Sequence, residues 1–583
     1  MVQQFEKWVE LHTDADIEYI SRKYGISSVV AKILSHRDVT EEGIRSFLSP
    51  SLNDFHDPFM LYGMERVVLA IKDALLEQGR IRIIGDYDVD GICSTYILYR
   101  GLRFFGGNVD CVIPHRIADG YGINMRIIER AQKDGVGTII TCDNGISASE
   151  EVKKARDVGM RVIVTDHHEV PYEESEAGRT YRVPDCDGLV DPKLPEDEYP
   201  FKGICGAFVA YKVIMALAGS EGCEATKEFQ SLKDEFTELA ALATVCDVME
   251  LKDENRSLVV NGMKLMEHSG NIGIRSLIEK TGLTGRKITA YMLGFVLGPC
   301  INASGRIASP LKSLALIAEP DPNEASKKAA ELTELNNARK EMTAEWAEKA
   351  FKMLESAGIT DKVIVVYLPG CHESLAGIIA GRIREKYVRP TYVLTDSGDG
   401  LIKGSGRGIE AYDMYEGLIK AEPLLVKFGG HKLAAGVTLK AENLDAFRTC
   451  LNENCRLTDE DCKETVRVDA RLPLYRADMA LAREIARLEP FGTGNETPLF
   501  MGKGLKLTLA CVMGKSKNAA KYRATEEDGL SYEMLYFGDF TGLNTAIENS
   551  DSIDVLYTLS INEFRGKESV QLIIKHFRIS DGQ

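Results

Sequence analysis

Carboxylates and imidazoles recur along this chain in a pattern suited to holding cations. Asp86, Asp88 and Asp90 stand in GDYDVDG, Asp143 in TCDNG, Asp166, His167 and His168 in IVTDHHE, and Asp247 in ATVCDVME. Each group follows an apolar run: IRIIGD, GTIITCD, RVIVTDHH or LAALATVCD. Such runs read as buried parallel strands, and ligand sites in open α/β sheets lie outside the carboxyl ends of the strands. The expectation is four strand ends delivering acids and imidazoles to one rim. A lone DxD is usually a solvated turn, and a DHH run can simply cap a helix. Together, so many buried like charges would be costly without cations. Oxygen donors with one or two imidazoles and no thiolate favour Mn2+ or Mg2+ over zinc, and the number of donors suits two ions. Asp143, alone at its strand end, is the expected bridging carboxylate.

The elements that must position these groups are legible around them. Helix ERVVLAIKDALLEQG, strand IRIIG, helix ICSTYILYRGLRFFG, strand NVDCVIP, helix NMRIIERAQKDG, strand VGTIITC, helix ASEEVKKARDVG and strand RVIVTD alternate. That alternation predicts an α/β domain with a doubly wound parallel sheet. The Pro-, Asp- and Glu-rich stretch PYEESEAGRTYRVPDCDGLVDPKLPEDEYPFKG reads as a long surface loop, and helices follow to about 320. Residues 323–357 read as one long, polar, exposed interdomain helix. A second α/β unit starts at KVIVVYLPG, and the tail carries one helix and five or so alternating strands, which suggest an OB-type β-barrel. The expected divisions are 1–65 helical, 66–320 the first α/β domain, 321–358 the connecting helix, 359–458 the second α/β domain and 459–583 the barrel.

At 583 residues the chain is too long for one core, and its 44% apolar and 27% charged residues are those of a globular protein. No run approaches the length of a membrane span, and the charged N-terminal stretch lacks a signal peptide's apolar centre, so a cytoplasmic protein away from membranes is expected. The thirteen cysteines form no CxxC and sit mostly in apolar runs, where reduced thiols pack as small hydrophobes; the spacing of Cys450, Cys455 and Cys462 suits no common zinc module. A net charge of −17 argues against broad wrapping of nucleic acid. A narrow channel with a few arginines is compatible with it.

Those arginines have candidates. Arg116 lies in PHRIADGYGIN, Asn302 and Arg306 in GPCINASGRI, Ser405 and Arg407 in KGSGRGI, and His431 in GGH. Guanidinium groups with small hydroxyls and glycine backbone are what phosphate recognition needs. Neither a Walker A sequence nor a nucleophile elbow is present.

With these motifs in order, the chain resembles the DHH phosphoesterase superfamily. The series GDYDVDG, PHR…GYG, DHH, TVCDV, INASGR, CHESLAGIIAGR, GSGR, FGGH and LEPFGTGN is similar to its single-stranded-DNA-specific 5′-exonuclease branch, from about residue 20 to the end. The resemblance implies a parallel-sheet DHH domain, a DHHA1 domain and a terminal OB domain. It implies that Asp88 and Asp143 hold one cation, and that Asp90, Asp143, His167 and Asp247 hold the other. Relatives often carry a histidine before their DxD. Ile84 stands there, and Asp86 supplies a compensating carboxylate, as a ligand or just behind one. His168 would lie at the scissile phosphate, Asn302 and Arg306 would hold the substrate, and Arg116, Ser405 and Arg407 would take the 5′-terminal phosphate, with His431 nearby. The branch often reads GSGRS, and Gly408 departs from it. The implied activity is 5′→3′ hydrolysis of single-stranded DNA to 5′-mononucleotides in repair and recombination, beside a helicase and a single-strand-binding protein. Tyr532, Tyr536 and Phe537 are candidates for stacking on the strand. Another reading is a DHH phosphodiesterase for short RNA or cyclic dinucleotides. Those relatives are compact and lack the barrel.

Overall fold

The computed structural model describes residues 6–115, 120, 122–175, 178–398, 400–514, 517–526 and 529–580. The chain opens with strand β1 (Glu6–Glu10) and helices α1 (Ile17–Tyr24), α2 (Ser28–His36) and α3 (Ile44–Leu48). Asp16 and Ser27 cap α1 and α2, each accepting from a backbone N–H of the first turn.

The first α/β domain follows. It comprises α4 (Met64–Leu76), β2 (Arg80–Ile84), α5 (Val89–Phe104), β3 (Asn108–Val112), α6 (Met125–Lys133), β4 (Val136–Cys142), α7 (Ser149–Asp157) and β5 (Arg161–Thr165). Then come β6 (Tyr172–Ser175), β7 (Gly178–Tyr181) and β8 (Gly188–Val190). The parallel sheet has the order β3-β2-β4-β5-β8. Its order reverses between β2 and β4, the position where α/β sheets open a crevice. Alternate residues of these strands enter two separate cores, one with α4 and α5 and one with α6 and α7. Burial on both faces is why the strands read as continuous apolar runs.

Helices α8 (Gly206–Glu221), α9 (Lys227–Cys246), α10 (Asp253–Met266), α11 (Ile272–Lys280), α12 (Ala290–Met292), α13 (Gly298–Ile307) and α14 (Leu311–Ile317) complete this domain, with a π-turn over Leu293–Leu297. Helix α15 (Pro322–Ala357) leads to the second domain: β9 (Ile364–Tyr367), α16 (Glu373–Tyr387), β10 (Thr391–Ser397), β11 (Leu401–Arg407), α17 (Met414–Lys420), β12 (Leu425–His431), β13 (Ala434–Lys440) and α18 (Leu444–Glu453). Its mixed sheet has the order β12-β13-β11-β10-β9. After β14 (Glu464–Val468), which lies in a separate two-stranded sheet, the barrel is built from β15 (Ala470–Arg471), α19 (Met479–Ala486), β16 (Phe500–Met513), β17 (Ala519–Thr525), β18 (Ser531–Phe537), α20 (Thr541–Asn549), β19 (Ile553–Phe564) and β20 (Lys567–Ile579). The β16–β19 pairing closes it.

Several expectations change. LAALATVC is the last part of the 20-residue helix α9 and not a strand. An apolar run of that length fits either element, and here it continues a helical pattern begun at Thr226. The stretch after residue 170 holds the hairpin β6–β7 and the fifth strand of the sheet, so it is no simple loop. KGSGR lies in strand β11, between β10 and β13, and Gly408 follows its end. Helix α15 buries Ala325, Ala329, Leu332, Asn336, Thr343, Ala347 and Ala350 along its length, so it joins the domains by a packed face. The tail holds six strands of one sheet and two helices.

The N-terminal helices belong to the barrel's core. Ile26, Val30, Ile33 and Phe47 pack with Leu481, Ile485, Tyr522 and Tyr557, and β1 pairs in parallel with β14. Arg256, 1% exposed on α10, fastens this body to the first domain. Its guanidinium donates to the carbonyls of Phe47, Leu488, Arg487 and Glu489 at 2.8–3.0 Å and stacks on the Phe47 ring.

Candidate metal centre

Local structure explains how each acid reaches the rim. Beyond Ile84 the chain turns to Asp88, which caps α5 by accepting from the Gly91 N–H at 3.1 Å. Asp90, in the first turn of α5, accepts from the N–H groups of Gly206 and Ala207 at 2.7 Å each. Its carboxylate thus sits between the positive ends of α5 and α8. Position 206 must be glycine for this approach, since a Cβ there would lie 2.8 Å from the Asp143 Cβ. Asp143 leaves β4 at φ 58°, a left-handed conformation that costs a non-glycine residue on the order of 1 kcal/mol or more. Asp247 is the C-cap of α9. Three strand ends and one helix end therefore supply the site.

The side chains converge. His167 Nε2 lies 3.1 Å from Asp143 Oδ1, 3.4 Å from Asp90 Oδ2 and 3.7 Å from Asp247 Oδ2. Donor atoms of Asp86, Asp88 and Asp143 all lie within 4.8 Å of one another, as do those of Asp90, His167 and Asp247, and those of Asp143, His167 and His168. Asp143 and His167 each belong to two of these groups.

Burial and mutual repulsion dominate the electrostatics. Burial, then the charges of Asp90, Asp88, Asp86 and Asp247, hold the Asp143 carboxyl well above the usual range. Burial and then Asp90 raise Asp88, and burial followed by Asp90 and Asp88 pushes Asp247 up to about 8. Burial lowers His167, which favours the neutral imidazole a metal needs. A cluster of buried acids that raise one another's pKa, with a neutral imidazole among them, fits hard divalent cations with oxygen-rich coordination. Among the described residues no cysteine joins such a group.

Asp166 plays another part. Its Oδ2 accepts from the Ile146 N–H at 2.9 Å, and its Oδ1 accepts from the His167 N–H at 2.8 Å and lies 2.7 Å from His168 Nδ1. Burial disfavours both charges here, but the pair outweighs it: Asp166 is lowered and His168 is pushed up to about 9. Two contributors were missed in the sequence. Asn144 is fully buried and donates to the Ile84 and Cys142 carbonyls while accepting from the Ile123 N–H, so it joins the ends of β2 and β4. Asp191 is buried at the end of β8, where burial and then Asp166 push it up to about 8. Its signal was GLVD, a short apolar run closed by an acid.

The remaining candidates fall in two places. Asn302 on α13 accepts from the Val89 N–H at 3.1 Å and so steadies the acidic loop. Arg306, four residues on, donates to the Ser374 carbonyl at 3.0 Å across the domain gap. The helix lies so close that a Cβ at Gly305 would come within 2.6 Å of the Tyr87 carbonyl. Arg407 and His431 both pair with Ala434, from β11 and β12, so they share one row across three strands. Arg407 lies against α16 at Gly377 and donates to the Gly406 carbonyl at 2.8 Å; Ser405 is two residues away on β11. Arg116 lies outside the described residues. Of the three barrel aromatics, Tyr532 and Tyr536 pack against the core, and Phe537 is exposed.

A parallel sheet that presents acids and imidazoles on one rim, faced by a second α/β domain, defines a phosphoesterase of the DHH class. Comparisons agree in each part: the DHH family N-terminal domain matches residues 80–244, the DHHA1 domain 360–456 and the RecJ OB domain 468–576. The single-stranded-DNA-specific exonuclease RecJ of Bacillus subtilis is 33% identical over 99% of this chain and 71% of its own length. The crystal structure of Thermus thermophilus RecJ with Mn2+ superposes at a TM-score of 0.80, with 27% identity, over 100% of this chain and 80% of that one. The same protein's Mg2+ complex gives 0.75 and 26%, over 99% and 79%. The chain belongs to the RecJ family of single-stranded-DNA-specific exonucleases.

Proposed function

We infer that the chain is a metal-dependent exonuclease that hydrolyses single-stranded DNA from its 5′ end, releasing 5′-mononucleotides. The observation that carries this is the buried acid cluster, in which Asp143 and His167 are shared between neighbouring ligand groups. Asp86, Asp88 and Asp143 would hold one Mn2+ or Mg2+, and Asp90, Asp143, His167 and Asp247 the other. Bound there, two divalent cations supply activated water and charge neutralisation at phosphorus. His168, kept cationic by Asp166 and half exposed, supplies a positive charge beside the scissile phosphate. Arg306 ties this rim to α16, and Asn302 holds the acidic loop in register with it. Ser405, Arg407 and His431 on the second domain, with Arg116, form the grip for the terminal phosphate. A terminal grip fixed opposite a cutting site measures one nucleotide and gives 5′→3′ polarity. Work in the cytoplasm beside a helicase and a single-strand-binding protein belongs to the same reading and rests on the family.

The test is digestion of end-labelled single-stranded DNA with Mn2+, run beside duplex DNA, short RNA and a cyclic dinucleotide. Mononucleotides leaving the 5′ end of the single strand are expected. Cleavage confined to short RNA or the cyclic dinucleotide would overturn the reading. In the same assay Arg407→Ala should cut the preference for a 5′-phosphate over a 5′-hydroxyl end by about tenfold to a hundredfold, the value of a charged hydrogen bond.

A further inference from the structure

A cleft of about 840 Å³ lies between the first domain and the barrel's LEPFGTGN loop, next to the chain segment that carries Asp247. Val245 and Cys246, just before Asp247, and Val248, just after it, line it. Phe491 and Pro490 form the facing wall. From its floor stand Tyr291 and Phe295, 67% and 66% exposed. Their rings stack on each other, 5.0 Å apart and tilted by 21°. With Val248, also 66% exposed and lining the same cleft, they form an apolar patch of the kind that marks an interaction site.

We propose that Tyr291 and Phe295 form a stacking platform for the bases just downstream of the cut. This rests on the exonuclease reading above. Three observations carry it. First, the cleft lies one residue along the chain from the metal centre: Val245, Cys246 and Val248, which line it, flank Asp247. Second, one helical run bears both ends of the path. Residues 290–307 start at the aromatic pair, pass Asp247 where the Cys246 thiol meets the Leu293 carbonyl, and end at Arg306 facing the second domain. From Tyr291 to Arg306 the run spans roughly 22 Å. A strand gripped at its 5′ end near the second domain and cut at the rim must leave toward this cleft. Third, the pair offers a flat π-face, which accepts any base, and not a shaped hole. Tyr291 and Phe295 are four residues apart on this helical run, the spacing that puts two side chains on one face, and Phe295 lies in the π-turn Leu293–Leu297. Lys264 and Lys287 at the rim offer cations to the backbone, beside Glu267 and Glu489, the latter paired with Lys287 at 3.3 Å. That mixed rim suits sequence-tolerant stacking more than charge-driven binding.

The experiment compares wild type with Tyr291→Ala/Phe295→Ala on three 5′-phosphorylated substrates: a 20-mer, the same 20-mer with abasic units at positions two to five, and a dinucleotide too short to reach the cleft. For wild type the abasic stretch should slow digestion about tenfold or more, the value of losing one or two stacked bases. The double variant should be slowed equally on the intact 20-mer, show no further loss on the abasic one, and keep its rate on the dinucleotide. Both side chains are exposed, so the variant should melt as wild type does. If it does not, Tyr291→Phe with Phe295→Leu serves instead, with a smaller loss on the intact 20-mer alone. Equal loss on intact and abasic strands, or no loss on either, overturns the platform. A wild type inactive on every substrate would instead sink the exonuclease reading.

Discussion

Two regions bury charge in opposite ways. At the junction of the N-terminal helices, the first domain and the barrel, the Arg256 cation is enclosed, yet four carbonyls satisfy its donors and the Phe47 ring covers its face. Lys212 and Glu254 nearby are both buried and lie 2.8 Å apart, with the Tyr199 hydroxyl donating to Glu254. At the rim of the parallel sheet, Asp88, Asp90, Asp143 and Asp247 face one another, and burial with their mutual charge drives three of them upward. The joint is a finished network. The rim is an unfinished one, completed only by something positive from outside. Buried charges of one sign that raise one another's pKa point to function, and buried charges matched by opposite charge or by acceptors point to structure.

The largest expected effect breaks the rim. Asp143→Ala removes the carboxylate shared by two ligand groups, and hydrolysis should fall by at least about 10³-fold, read as mononucleotide release. Melting without added cation should stay level or rise, because one repelling buried charge is gone. A large loss of stability would mean that the rim is a finished network after all. Retained Mn2+-dependent activity would remove Asp143 from its shared role.

The complementary change is Arg256→Met. It leaves four buried carbonyls without donors, and unfolding in denaturant should show a loss on the order of 3–5 kcal/mol. Turnover per folded molecule at 25 °C should be nearly unchanged. If instead activity falls with stability intact, the joint positions the catalytic rim and the contrast fails.

How much of this was legible follows the same division. The rim announced itself because its acids close β-branched runs that fold as β2, β4 and β5. The Asp247 run misled because Leu and Ala dominate it and a short apolar run fits helix or strand equally. Asp191 escaped notice because β8 has only three residues and sits among prolines and acids that look like loop. The row holding Arg407 and His431 needs the pairing of both strands with Ala434, a long-range register absent from either motif. Arg256 lies in an ordinary polar stretch, ENRS. Its four acceptors come from residues 47 and 487–489, and nothing local signals them. Motifs reveal residues whose chemistry repeats along the chain, whereas joints between domains arise only in three dimensions.

The smallest effect sharpens the comparison by pH. Asp247 titrates near 8 in the folded chain, against about 4 when unfolded. Between those values the folded state keeps a proton that the unfolded state has lost, so the cation-free protein loses stability from this group as pH rises through that window. A divalent cation displaces that proton, and its binding strengthens with pH. The rise in melting temperature on adding Mn2+ should therefore be small near pH 6 and grow by a few degrees toward about pH 8. For Asp143→Ala the increment should be small at both ends. The finished joint predicts no such trend for Arg256→Met, whose melting temperature should sit below wild type by the same amount at each pH and gain as much from Mn2+ as wild type does. An increment that stays flat from pH 6 to 8 in wild type would mean that these carboxyls are already ionised without the metal, and that the rim's charges are balanced by the protein itself.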